Sequence, residues 1–236
     1  MSENDTIARR LERIRTQVDQ ARLQAGSDRV DLLIAVKQQT AATCVEVAHA
    51  LHDADLPVML GHNHVQEAKA TTPAVRAAVP DARIHFIGHL QTNKINQALA
   101  NVDLIETIDS ARLADMIDQR VEMGRILTVF VQVNTSGEPS KSGIAPEAAR
   151  ELADHVAQCQ SLRLGGLMTV GALSQDETIV RRSYARLATL RDQIAQDHPT
   201  CTELSMGMSG DFPWAIAEGA TIVRIGQAVL GPRKEK

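Results

Sequence analysis

Along this chain, short aliphatic and β-branched runs alternate with longer amphipathic stretches. The short runs predict strands at Leu32–Val36, Val58–Leu60, Ile84–Ile87 and Leu104–Ile108 in the first half. The second half adds Thr128–Val133, Leu162–Val170, Glu203–Met206 and Thr221–Ile225. Between them, helical spacing predicts Ala42–Ala54, Val65–Val79, Ser110–Met123, Pro146–Gln160, Thr178–Asp197 and Phe212–Glu218. A further helix leads the chain, about Thr6 to Gln24, with Ile7, Leu11, Ile14, Val18 and Leu23 at the required spacing.

Strand–helix alternation implies a parallel sheet. Roughly eight strands in 236 residues favour an α/β fold of the (β/α)8 TIM-barrel type with an extra N-terminal helix. Residues 1–236 are read as a single domain. An open doubly wound sheet is the rival, but its Gly-rich first turn is missing; Lys37-Gln38-Gln39-Thr40 stands there instead. No long linker, repeat or low-complexity tract interrupts the alternation, and the tail Pro232–Lys236 is read as a solvated end.

Composition narrows the partners. Hydrophobic residues make up 44% of the chain, enough for a sizeable core, while only 2% are aromatic, so that core is aliphatic. Scarce aromatics and a formal net charge of −4 argue against nucleic acid. The opening MSENDTIARRLERI lacks the apolar centre of a signal peptide, and no apolar stretch approaches a membrane span. Cys44, Cys159 and Cys201 are odd in number and widely spaced, which suggests reduced thiols and a cytoplasmic protein.

Barrel chemistry sits at the C-terminal ends of the strands. Those positions hold Lys37, His62-Asn63, Gly88-His89, Asn134, Met168-Thr169, Met208-Ser209-Gly210 and Arg224-Ile225-Gly226-Gln227. The last two loops, GMSGD and IGQAVLG, offer glycines and the Ser209 hydroxyl where barrels often bind phosphate; ordinary tight turns would look the same. Lys37 ends an apolar strand, so it either snorkels to solvent or, desolvated, becomes a nucleophilic amine able to form a Schiff base. Arg224, inside the apolar run TIVRIG, cannot shed its charge and needs a ligand atom or an ion pair with an acid such as Glu106.

Several stretches together carry a family resemblance. LLIAVK, GHNHVQEA (Gly61–Ala68), HFIGHLQTNK (His85–Lys94) and KSG (Lys141–Gly143) resemble the single-domain pyridoxal 5′-phosphate (PLP) homeostasis proteins. GGLMTV (Gly165–Val170), LSMGMSGD (Leu204–Asp211) and VRIGQAVLG (Val223–Gly231) continue the match, in order, from about Val30 to Gly231. That family is similar to the barrel domain of alanine racemase, without the second, β-rich domain. The resemblance implies PLP as cofactor, held by Lys37 as a Schiff base, with Ser209, Gly226 and Gln227 on its phosphate. It places Arg224 by the pyridine nitrogen, with Asn63 and Met168 lining the ring pocket.

Three positions depart from the family pattern. Val36 replaces a Ser or Thr before the lysine, His62 and His64 replace a Glu and a Tyr, and Gln227 replaces a small hydroxyl residue. A cation by the ring nitrogen opposes its protonation and weakens the cofactor as an electron sink. The single tyrosine, Tyr184, lies in a helical stretch, so no second base is evident. The leading expectation is therefore PLP binding for intracellular PLP homeostasis, buffering and passing on the aldehyde without turnover. A PLP-dependent amino-acid racemase or lyase is the alternative, and a cofactor-free barrel aldolase using Lys37 a third.

The expected partners are PLP, amino acids and, transiently, PLP-dependent apoenzymes, with the chain a monomer. No metal is expected: His62, His64, His85 and His89 have no Cys or carboxylate cluster beside them. Lys94 and Lys141 are expected to be solvated, and Trp214 to pack beneath the last loop.

Overall fold

The computed structural model describes residues 6–231, so the tail Pro232–Lys236 lies outside the described residues. Helix α1 (Ile7–Ala25) leads, followed by β1 (Asp31–Ala35), α2 (Ala41–Asp53), β2 (Met59–His62), α3 (Val65–Ala78) and β3 (Arg83–Phe86). Then come α4 (Ile95–Leu99), β4 (Leu104–Ile108), α5 (Ala111–Asp118), β5 (Leu127–Gln132) and α6 (Ala149–Gln158). The chain ends through β6 (Leu162–Met168), α7 (Glu177–Ala195), β7 (Glu203–Met208), α8 (Phe212–Ala217), β8 (Ile222–Ile225) and α9 (Gln227–Leu230).

All strand pairs are parallel and the order β1 to β8 closes on itself, with Leu33 opposite Arg224 and Ile34 opposite Ile225 at the seam. The fold is the (β/α)8 barrel that the alternation implied. Period-two alternation splits the buried side chains into two shells. Leu33, Met59, Phe130, Met168 and Ile222 fill the barrel interior, and a larger aliphatic shell joins its outer wall to the helices.

Helix α1 is a lid on that outer shell. The Thr6 hydroxyl accepts from the Arg9 amide at its start. Ile7, Leu11, Ile14 and Val18 are its buried residues. Each contributes roughly 1.5–3 kcal/mol by leaving water. Leu23, on the same predicted stripe, is 69% exposed, so the apolar face ends before the helix does.

Most elements shift by a residue or two from the sequence reading, and three differ more. Helix α5 stops at Asp118 rather than Met123; its last buried residue is Ile117, and Met123 lies in solvent. The stretch Pro146–Gln160 opens as a 3-10 turn at Pro146–Ala148 and ends before Cys159. Helix α4, preceded by a 3-10 turn at Thr92–Lys94, was not anticipated because INQAL is too short to show a period.

Candidate functional site

The C-terminal mouth of the barrel holds a cavity of about 420 Å³, and Lys37, Asn63, Met168, Ser209, Arg224, Gly226 and Gln227 all line it. Seven positions from five separate segments thus converge, as the barrel rule requires. Gln39, Ile87 and Leu230 line it too and were not singled out; Met208, among the strand-end positions, also lines it. Of the other strand-end positions, Asn134 turns its amide onto the Glu138 and Lys141 carbonyls and serves its own loop. His89 lies in a separate surface cleft.

Lys37 follows β1 on a tight turn. The Val36 amide donates to the Gly61 carbonyl at 3.0 Å and completes the β1–β2 ladder. Gln38 then takes φ +59, left-handed backbone that a non-glycine residue adopts at a cost. Its amide donates to Glu67 Oε1 at 3.3 Å. Glu67 sits in the first turn of α3, so it ties that helix to the lysine turn. Lys37 Nζ itself enters no hydrogen bond or ion pair among the described residues. A partly buried amine without a protein partner is available to a ligand.

Asn63 comes close because Gly88 permits it: a Cβ on Gly88 would lie 2.0 Å from the Asn63 carbonyl oxygen. On the opposite wall, Gly207 at φ +91 turns β7 out of the sheet, and a Cβ there would lie 2.6 Å from Ala215 Cβ. The following turn is clamped by Asp211, whose Oδ1 accepts from the Met208 amide at 2.6 Å. Asp211 Oδ2 accepts from the Tyr184 hydroxyl at 2.8 Å. Burial, chiefly, and the Asp211 charge hold the Tyr184 phenol above its ordinary range. The turn leaves the Ser209 and Gly210 amides without a protein acceptor among the described residues. Together with the loop through Gly226 and Gln227, they make an anion-seeking wall.

Arg224 is 5% exposed and does not meet an acid directly. Its Nη1 donates to Ser205 Oγ at 2.8 Å and its Nη2 to the Thr169 carbonyl at 2.7 Å. Ser205 in turn donates to Glu106 Oε2 at 2.5 Å, and Glu106 Oε1 pairs with His85 Nδ1 at 2.6 Å. The ion pair with Glu106 weighed from the sequence is thus replaced by a relay through one hydroxyl. Lys141 also corrects its expectation: it donates to Glu138 at 2.7 Å and to the Gly171 carbonyl at 2.5 Å, joining two loops rather than facing water. Trp214 packs half-buried against the core as expected.

A larger cavity, about 520 Å³, opens at the other mouth and includes Arg29, Asp31, Arg83, Arg163 and Glu203. Its charges are largely spent on each other: Arg29 meets Glu203 at 2.8 Å and Asp31 at 3.3 Å. Chemistry in this fold belongs to the C-terminal mouth. The residues there fit PLP in kind: an unpaired amine for the aldehyde, a guanidinium for the ring edge and free amides for the phosphate.

Fold and cavity define a parallel (β/α)8 barrel whose C-terminal mouth brings an unpaired amine, a guanidinium and glycine-containing turns into one cavity. Residues 10–234 match the family model described as "Alanine racemase, N-terminal domain". The chain is 36% identical to the pyridoxal phosphate homeostasis protein of Vibrio alginolyticus, covering 97% of this chain and 98% of that one. It is 39% identical to the human protein of the same name, over 73% of this chain and 67% of the relative. The chain belongs to the alanine racemase N-terminal domain family, among its pyridoxal phosphate homeostasis proteins.

Solved structures agree. PipY of Synechococcus elongatus, described with PLP bound, superposes with a TM-score of 0.79 at 31% identity, over 96% of this chain and 100% of that one. Alanine racemase of Clostridium difficile shares the fold alone, at 15% identity and a TM-score of 0.70, over 94% of this chain and 56% of that one.

Proposed function

We propose that this chain binds PLP at the C-terminal mouth of its barrel and serves intracellular PLP homeostasis, as its relatives are named for doing. The observation that carries the reading is the Lys37 amine, unpaired in a cavity shared with Arg224 and the Ser209, Gly226 and Gln227 turns. PLP supplies an aldehyde that condenses with an amine, and a ring that can withdraw electrons. Lys37 is the proposed anchor, as a Schiff base. Ser209, Gly226 and Gln227 bind the phosphate, while Asn63 and Met168 flank the ring.

Arg224 faces the ring nitrogen as a fixed cation and discourages a proton there. Tyr184, the one phenol in the chain, is buried and committed to Asp211. The chain therefore retains the aldehyde and exchanges it rather than turning amino acids over, acting as a carrier to apoenzymes. Its free cysteines suit a reducing cytoplasm, and the chain is read as acting as a monomer.

Borohydride reduction of the PLP-loaded chain followed by tandem mass spectrometry tests the anchor. A pyridoxyl group on Lys37 is expected, with Lys37→Ala folded and colourless; modification at Lys94 or Lys141 instead would refute it. Deuterium exchange at the α-carbon of added amino acids tests the absence of turnover. A useful exchange rate would move the chain to the racemase or lyase reading.

A further inference from the structure

The outer groove between α5 and α6 carries a donor set that the cofactor cavity does not use. His155 of α6 hydrogen-bonds through Nε2 to Asp115 Oδ1 of α5 at 2.6 Å. Cys159 follows one helical turn after His155 and is a free thiol. One donor atom from each of Asp115, His155 and Cys159 lies within 4.8 Å of the other two. Among the described residues no other group of three or more His, Cys, Asp or Glu converges in this way.

We propose that Asp115, His155 and Cys159 form a zinc-binding site joining α5 to α6, with its fourth position open to water. The donor set is mixed nitrogen, sulfur and oxygen, which suits a borderline cation with tetrahedral preference. Metal–ligand bonds of about 2.0–2.3 Å set the ligand atoms roughly 3.3–3.8 Å apart. The present spacing reaches that by side-chain rotation, with the short His155–Asp115 contact opening.

Access and charge favour the same reading. The His155 and Asp115 side chains are 36% and 49% exposed, so an ion enters from solvent without unfolding the groove. Asp118 stands close by, its oxygens occupied by the Ser161 amide at 2.6 Å and the Gln160 amide at 3.4 Å. It acts as a second negative charge rather than a ligand. Zinc binding releases the Cys159 thiol proton to solvent.

Cobalt(II) titration of the tag-free, PLP-loaded chain, followed by difference absorbance, tests the site. One equivalent is expected to raise a thiolate-to-cobalt charge-transfer band and visible ligand-field bands of tetrahedral intensity, both displaced by zinc. Cys159→Ser abolishes the charge-transfer band, and His155→Ala or Asp115→Ala weakens zinc affinity by at least about tenfold. Cys44→Ser and Cys201→Ser, at fully buried positions, leave it intact. Zinc also raises the melting temperature of the parent chain but not of Cys159→Ser. No charge-transfer band, or one that survives Cys159→Ser, would overturn the site.

Discussion

Arg224 and Glu106 sit inside the same barrel without touching, because Ser205 stands between them. Its hydroxyl accepts from Arg224 Nη1 at 2.8 Å and donates to Glu106 Oε2 at 2.5 Å. Glu106 is fully buried and Arg224 nearly so, and each charge therefore depends on that one hydroxyl for part of its satisfaction. Two groups on β4 and β8, across the barrel from each other, are held by a third on β7.

Removing the hydroxyl should expose the dependence. Ser205→Ala leaves a guanidinium N–H and a carboxylate oxygen unpaired in the core, at a cost of roughly 2–4 kcal/mol. Urea unfolding would measure it. PLP affinity should fall as well, because Arg224 keeps only its bond to the Thr169 carbonyl. A variant as stable as the parent would show that the relay is not what holds Arg224.

The clamp on the β7 exit turn gives a second expectation. Asp211 bridges the Met208 amide and the Tyr184 hydroxyl, which fixes the turn carrying Ser209 and Gly210. Tyr184→Phe keeps the ring packed and removes one charge-assisted bond worth about 1.5–3 kcal/mol. PLP should bind at least about fivefold more weakly, while pyridoxal, which lacks the phosphate, should bind unchanged. Equal losses for both ligands would place the effect on the ring pocket instead of the turn.

A third concerns the lysine turn. Glu67 accepts the amide of Gln38, whose left-handed backbone sets the direction in which Lys37 leaves β1. Glu67→Ala releases that amide, so the turn samples other conformations. The yield of borohydride-trapped Lys37 at limiting PLP should drop about three- to tenfold, with the melting temperature shifted by only a few degrees. Unchanged trapping would mean that the turn holds itself.

Much of this is legible in the sequence. Strand–helix alternation carried the barrel, and the strand-end rule placed Lys37, Ser209 and Arg224 in one cavity because a closed parallel sheet points every strand end the same way. An Arg224–Glu106 pair could be weighed from the sequence, but not the Ser205 hydroxyl between them or the His85 partner of Glu106. Glu106 and His85 sit within strands of mostly apolar residues, and only closure of the sheet shows that both face inward. The Asp115–His155–Cys159 group had a partial signal in the four-residue spacing of His155 and Cys159, but the third ligand comes from another helix. Lys141 looked solvated because its acceptor, the Gly171 carbonyl, lies thirty residues away in another loop.

His62 supplies the last expectation, a pH dependence of stability. It is fully buried, with Nε2 against Thr71 Oγ1 at 3.2 Å and Nδ1 lacking any partner. Burial pushes its imidazole down to about 4 from an ordinary 6.5. Below pH 6.5 the unfolded chain binds a proton that the folded chain refuses, so stability falls with pH through that window and levels off below about 4. The full loss is about 3 kcal/mol, of which about 2 kcal/mol has gone by pH 5. His62→Gln stays neutral throughout and should lose that much less between pH 7.5 and pH 5, read from urea midpoints. Parallel losses in parent and variant would assign the acid sensitivity to other groups.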